Sequence, residues 1–332
     1  MPAMQAPALT LHPPPSTPLA PELAALVETA RAPNTRRAYQ SGWRDFAAYC
    51  EQAVQANGLP VRPLPAQPAD VAGYLHNLAE SGVKPSSMTV RLAAIAYAHK
   101  LAGQPDPTRH EAVRAVLAAL RRTVGVAPVK KSPLTRDRLE RLIAACPDSL
   151  AGLRDRALLL VGFAGAFRRS ELASITVADL RAEPGRVVLT LRRSKTDQEA
   201  AGATLVLPAL EDATLCPVRA MVAWLNAAHI QSGPLFRKVD RWGKVGKKCL
   251  SDHAIARLVQ QACARAGLAA ADFGGHSLRS GFVTQGALDH LPEYDIQQVS
   301  RHKSTTTLRG YIQSAGALQE RAARMVLGEG ER

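Results

Sequence analysis

The sequence predicts a mainly α protein of two domains, the second holding a small antiparallel β-sheet. Four apolar stripes at three-to-four spacing follow one another between residues 21 and 124, with no strand pattern among them. A break bearing two prolines and two lysines, residues 125–133, then interrupts the helical period. Beyond it, two short runs alternate as strands do, Arg186–Arg192 and Ala203–Leu207, within an otherwise helical stretch.

Residues 1–20 are rich in proline and alanine and carry no apolar period, so they read as a disordered tail. The first helix is expected to start at Asn34, a good N-cap, and to line up Tyr39, Trp43, Phe46, Cys50 and Val54. The second follows Pro68 with a stripe of Val71, Tyr74, Leu75 and Leu78. The third opens at Ser86-Ser87 and runs through Leu92, Ile95 and Ala96 towards Gly103. The fourth begins at a capping box, Thr108-x-x-Glu111, and buries Val113, Val116, Leu117 and Leu120. These make one domain over residues 21–124, joined to a second over 134–332 by an exposed linker at 125–133.

In the second domain Arg154–Phe167 reads as a buried helix, followed by one from Ser170 through Ile175. The two strands flank a polar turn, Arg193–Gly202. A helix after Cys216-Pro217 carries Met221, Val222, Trp224 and Leu225. More helices follow Ser251, Ser277, Pro292 and Ser304, and a last one covers Ala315–Leu327.

Composition narrows the partner. The formal net charge of the 332 residues is +14 and the isoelectric point is near 10.0, which favours a polyanion, nucleic acid before an anionic membrane surface. No apolar run reaches the roughly 18–20 residues of a transmembrane helix. The longest patch, Ala157–Phe167, holds two glycines and ends in Arg168-Arg169. Five scattered cysteines without a C-x-x-C pair suit a reducing cytoplasm and argue against a metal site. The N-terminus lacks the order of a signal peptide.

The residues with most chemistry in them lie late in the chain: His276-Ser-Leu-Arg279, then Arg301-His302, then Tyr311 nine residues on. A histidine and an arginine three apart share a helix face and can donate to a phosphate oxygen. A tyrosine is a nucleophile that needs no cofactor. With Arg168 and Lys195 upstream, the set suits breaking and rejoining a phosphodiester through a phosphotyrosine. Each member also has an ordinary reading. Arg168 also reads as a solvated cation at a helix end, Lys195 as a wet turn residue, H-x-x-R recurs by chance, and Tyr311 is at core spacing from Leu308.

Taken in order, Ala-Phe-Arg168-Arg-Ser-Glu171-Leu, Ser-Lys195-Thr-Asp, Gly-His276-Ser-Leu-Arg279, and His302 with Tyr311 form a specific pattern. The chain resembles the tyrosine recombinase (phage integrase) family, most closely the Cre type, from about residue 34 to its C-terminus. The resemblance implies that Arg168 and Arg279 clamp the scissile phosphate while Tyr311 attacks it, leaving a 3′-phosphotyrosyl bond. It implies that Lys195 protonates the departing 5′ hydroxyl and that His276 is acid/base partner to the tyrosine. His302 would donate to a non-bridging oxygen, and Glu171 would buttress the site. No metal, ATP or other cofactor is implied. One departure stands out: the family commonly has Leu-Gly where this chain has Ser300-Arg301. Arg301 is then either a third cation beside the phosphate or a side chain in solvent.

Two stretches are candidates for reading DNA. Ser87, Thr89 and Arg91 open the third helix, where Arg91 would pair with guanine or rest on phosphate. The basic loop 237–248, with Arg241, Lys244, Lys247 and Lys248, and His253 beyond it, would hold phosphates. By resemblance, the partner is duplex DNA with inverted-repeat sites, the protein works as a homotetramer through exchange of its C-terminal helix, and it resides in the cytoplasm, on the nucleoid of a bacterium or phage host. Two rivals remain: a type IB topoisomerase, and a DNA-binding accessory factor without catalysis. Tyr311→Phe separates the last from an enzyme, because an accessory factor would lose nothing.

Overall fold

The computed structural model describes residues 33–57, 61–124, 131–191, 202–302 and 304–313. The tail, the turn holding Lys195 and the expected helix at Ala315–Leu327 lie outside them. The chain divides into two compact units between Val129 and Lys130.

The first unit is helical: α1 (Pro33–Asn57), α2 (Pro68–Glu80), α3 (Pro85–Leu101) and α4 (Glu111–Val124). Helices α2 and α3 each start on a proline, whose fixed φ suits the first turn and whose missing N–H costs nothing there. Their apolar stripes meet in a core of Phe46, Val71, Tyr74, Leu75, Met88 and Ile95. Phe46 and Tyr49 both set their rings 5.2 Å from that of Tyr74. A buried histidine ties a loop to this core. The Ala66 N–H donates to His99 Nε2 at 2.9 Å, and His99 Nδ1 pairs with the Ile95 carbonyl at 2.8 Å.

Two caps differ from expectation. Asn34 lies inside the first turn of α1, where it accepts from Arg37 rather than capping. Thr108 belongs to a short 3-10 turn, Pro107–Arg109, where Asp106 accepts from its N–H at 3.0 Å. Helix α4 is opened instead by His110, whose Nδ1 accepts from the Ala112 N–H at 3.2 Å. Proline at 107 favours the tight turn, so the capping-box pattern is spent before the helix begins.

The second unit begins with α5 (Arg136–Ala144), α6 (Leu150–Ala164) and α7 (Arg169–Ser174). Residues Ala157 to Val161 of α6 are all buried, as expected of a helix enclosed on every side. It starts earlier and ends three residues sooner than its apolar run implies, because Ser149 caps it and Gly165-Ala166 turns the chain. Three antiparallel strands follow in the order β1 (Leu180–Glu183), β2 (Arg186–Leu191), β3 (Ala203–Pro208). Leu189 faces both Leu180 and Leu205 in register, and Val187 faces Leu207. Strand β1 escapes sequence reading because it is four residues long with an exposed centre.

Helix α8 (Pro217–Ala227) buries Met221 and Trp224, whereas Val222 is exposed. The basic loop proves to be a second small sheet, a hairpin of β4 (Arg237–Val239) and β5 (Val245–Cys249). Helices α9 (Asp252–Arg265), α10 (Ser277–Leu288), α11 (Glu293–Ser300) and α12 (Thr305–Gln313) complete the unit. Residues Lys131 and Ser132, expected in an exposed linker, bond to the carbonyls of Ala271 and Asp272.

Candidate active site

The site starts where α6 stops. The Phe167 N–H donates to the Gly162 carbonyl and the Ala166 N–H to the Phe163 carbonyl, with Ala166 left-handed at φ 44°. This closes the helix in a Schellman-type turn. The turn delivers Arg168 to the N-cap position of α7. Three residues on, Glu171 reaches back: its Oε2 accepts from the Arg168 backbone N–H at 3.0 Å, and its Oε1 from Arg168 Nη1 at 2.6 Å. This is half a capping box, since an arginine side chain has nothing to accept with. Arg168 and Glu171 therefore meet across a helix start, not along a helical face.

Arg279, in the first turn of α10, is 1% exposed and donates from Nη1 to the Ala166 carbonyl at 2.8 Å. One turn of backbone thus holds both arginines: it carries Arg168 and accepts from Arg279. His276 stands at the N-cap of α10 rather than within it. It keeps an exposed edge while its inner side is desolvated, and that burial, with the charges of Arg279, Arg168 and Arg169, lowers its pKa. Gly275 is needed beside it, because a Cβ there would lie 2.7 Å from the Arg169 side chain, which crosses the loop to bond Asp252 at 3.0 Å.

His302 follows α11 and is buried. Desolvation and the charges of Arg279, Arg168, His276 and Arg301 push it down to about 3, so it is neutral at ordinary pH. Its Nδ1 pairs with Ser300 Oγ at 2.8 Å, and its carbonyl accepts from Gln297 Nε2 at 2.7 Å. Tyr311 lies in α12, which Leu308 anchors against Val283 of α10 and Ile296 of α11. Arg168, Glu171, His276, Arg279 and His302 are thus brought together, with Tyr311 on the helix that follows.

Arg301 does not point into solvent. Its side chain turns inward and bonds Glu171 Oε2 at 2.9 Å. Burial pushes Glu171 up, but Arg301, the Arg168 N–H and the Arg168 guanidinium outweigh it and hold the carboxyl below its usual range. Sequence reasoning missed Ala166, whose carbonyl positions Arg279, and gave Ser300 no role. A left-handed alanine carries no signal in the residue string.

The DNA-reading candidates are differently placed. Ser87 and Thr89 are exposed on α3, and Thr89 Oγ1 accepts from Arg121 Nη2 at 3.1 Å. Arg91 is already engaged, with Nε and Nη2 at 3.1 and 2.8 Å from Asp45 Oδ2. Lys244, Lys247 and Lys248 are exposed on the β4–β5 hairpin, and His253 is exposed at the start of α9. At the hairpin tip Arg241 stacks on Trp242, 4.0 Å from the ring centre, with Trp242 itself 76% exposed. Among the described residues no three His, Cys, Asp or Glu gather as a metal site, and no helix is long and apolar enough to cross a membrane.

Two clamped arginines and two histidines, with a tyrosine on the next helix, are groups suited to binding a phosphate. Residues 133–317 match the model of the phage integrase family. The integrase/recombinase xerD homolog of Selenomonas ruminantium is 36% identical over 300 residues, covering 89% of this chain and 86% of its own. The recombinase cre of Escherichia phage P1 is 24% identical over 290 residues, covering 82% and 81%. A lambda integrase tetramer bound to a Holliday junction superposes with a TM-score of 0.58 at 20% identity, over 88% of this chain and 75% of that one. The chain belongs to the phage integrase family. It is an enzyme of the tyrosine recombinase class, and its reaction is site-specific DNA recombination.

Proposed function

We propose that the protein cleaves and rejoins DNA through a 3′-phosphotyrosyl intermediate, with Tyr311 as nucleophile. The convergence of Arg168, Arg279, His276 and His302 beside the Tyr311 helix carries this reading. Arg168 and Arg279 hold the non-bridging oxygens of the scissile phosphate and neutralise charge as it builds on phosphorus. Their guanidiniums stay charged and planar, which suits a phosphate's geometry. His276 takes the tyrosine proton on attack and returns it on religation. His302, whose Nδ1 pairs with Ser300 Oγ at 2.8 Å, donates to a non-bridging phosphate oxygen. Lys195, between β2 and β3 in sequence, protonates the departing 5′ oxygen.

The phosphotyrosyl bond keeps the energy of the broken diester, so religation needs no ATP, and the two arginines supply the charge neutralisation for which other enzymes use a metal. A core-binding domain at 21–124 and the catalytic domain at 134–332, joined by a linker at 125–133, both contact the duplex. Exposed Ser87 and Thr89 on α3 and the cationic β4–β5 hairpin with His253 supply DNA contacts, while Arg91 serves α3 through Asp45 until DNA displaces it. Four copies act on two sites with inverted arms, each docking its C-terminal helix, Ala315–Leu327, on the next. The solved lambda integrase tetramer on a Holliday junction supports that assembly by its shared fold. The protein works on the nucleoid, in the cytoplasm.

Strand exchange between two labelled duplexes bearing the site tests this. Tyr311→Phe should abolish exchange while keeping DNA affinity within about twofold, the pattern of a residue used only in the chemical step. Exchange at the parent rate in that variant would refute the reading.

A further inference from the structure

Arg301 is the residue where the site is built most expensively. It closes α11 at φ 56° and ψ 41°, the left-handed region where glycine is at ease and other residues are not. Its Nε is buried without a hydrogen-bond partner. Both features cost stability, so the return has to be sought in what the side chain and the backbone hold.

The backbone part is direct. The left-handed turn aims the Arg301 carbonyl at Arg168, which donates to it from Nη2 at 3.2 Å. The side chain does more. Nη2 bonds Glu171 Oε2 at 2.9 Å, while Nη1 bonds the carbonyls of Gly165 at 3.1 Å and Val299 at 2.6 Å. The guanidinium carbon lies 5.2 Å from the centre of the Phe167 ring. One planar fork therefore ties together the end of α6, the first turn of α7 and the end of α11. Those segments carry Arg168 on one side and His302 on the other.

Charge balance follows from the same contacts. Glu171 is a single buried carboxylate, and with Arg168 alone it would make a neutral pair. Shared with Arg301, the trio keeps one net positive charge next to the place where Arg168 would meet a phosphate.

We propose that the Arg301 side chain is a positioning residue for strand cleavage. It locks the Arg168 turn to the His302 turn and takes up part of the Glu171 charge, so that Arg168 stays aimed and electropositive. This rests on the reading that Arg168 contacts the scissile phosphate.

Arg301→Gly is the clean test, because glycine keeps the left-handed backbone and removes only the side chain. Single-turnover cleavage of a nicked duplex, with protein in excess, should slow about 10–100-fold while DNA affinity stays within about threefold, the signature of lost transition-state stabilisation. Low millimolar guanidinium should recover part of the rate. Glu171→Gln combined with Arg301→Gly should be no slower than the worse single variant, since both break one unit. Arg301→Lys keeps the charge but lacks the fork, and should remain about tenfold slow.

Parent-like cleavage in Arg301→Gly, with Arg168→Ala inactive, overturns the proposal and leaves the site reading standing. Parent-like cleavage in Arg168→Ala overturns the site reading itself. Should Arg301→Gly melt early or release DNA, Arg301→Lys decides: a slow, folded variant supports the fork, and a parent rate refutes it.

Discussion

Gly281 sits two residues after Arg279 in α10, and its missing side chain is what lets the entry to the second unit lie against that helix. A Cβ at 281 would fall 1.9 Å from the Leu134 carbonyl oxygen and 2.5 Å from its carbon, both backbone atoms that no rotamer change can move. Gly281→Ala therefore has to push Leu134 away. Two losses follow. The Leu134 N–H, which donates to the Ser277 carbonyl at 3.0 Å, is left without its acceptor, at a cost of about 1–3 kcal/mol. The Leu134 side chain, 0% exposed, gives up part of its burial, worth about 1.5–3 kcal/mol if complete. Alanine returns about 1 kcal/mol of helix propensity. With about half of that burial lost, the net is a destabilisation of about 1–4 kcal/mol, or roughly 3–12 °C in Tm for a unit of this size. Gly162→Ala is the comparison. There the Cβ meets only the ends of Leu278 and Leu172 at 2.8 and 3.0 Å. Flexible tips give way, so its Tm should fall by less than half as much. Calorimetry on both variants decides the matter, and a Gly281→Ala melting within 2 °C of the parent, about the worth of half a kcal/mol, refutes the packing argument.

Other consequences are open to direct measurement. His302 is held down to about 3 against an ordinary 6.5. Above pH 6.5 it is neutral whether the chain is folded or not, and its full contribution is present. As pH falls, the unfolded chain binds a proton the folded one refuses, so stability drops by up to about 1.4 kcal/mol per pH unit. Between pH 6.5 and 5 the parent should lose about 1.6 kcal/mol more than His302→Gln, read by denaturant titration, and equal losses contradict the assignment. On the β4–β5 hairpin, Lys247→Ala with Lys248→Ala should flatten the slope of log K against log salt by about 2, with little change in sequence preference. An unchanged slope would place the lysines away from phosphate. Of the three tryptophans, Trp242 is exposed, Trp43 is half-buried against Phe46 and Trp224 is fully buried. Trp242→Phe should therefore remove most of the change in tryptophan emission on adding DNA, and a full change in that variant would put the hairpin tip off the duplex.

The helices were legible because burial on one face writes itself into the sequence. In α2 the stripe of Val71, Tyr74, Leu75 and Leu78 is also the buried set. What the residue string hides is backbone shape set by distant contacts. The β4–β5 hairpin reads as a basic loop because Lys247, Lys248 and two glycines leave no alternation to see. Neither Ala166 nor Arg301 advertises a left-handed turn, yet both turns aim groups at the candidate site. The candidate site residues stood out by type and order, because phosphate chemistry calls for cations that hold their charge. Their geometry did not: His276 caps α10 instead of lying on it, and Arg168 meets Glu171 across an N-terminus. Arg301 shows the difference most plainly. From sequence it was a third cation or a solvated one, and in the structure it is an internal brace.

The proposed mechanism turns on Tyr311 attacking a DNA phosphate. The most direct test is covalent trapping on nicked duplexes drawn from the sequence flanking the gene, without metal or ATP, followed by peptide mapping of the adduct. The expected product is protein joined to a DNA 3′ end through Tyr311, with no adduct from Tyr311→Phe. Tight binding to the same DNA with no adduct, or an adduct on another residue, would contradict it.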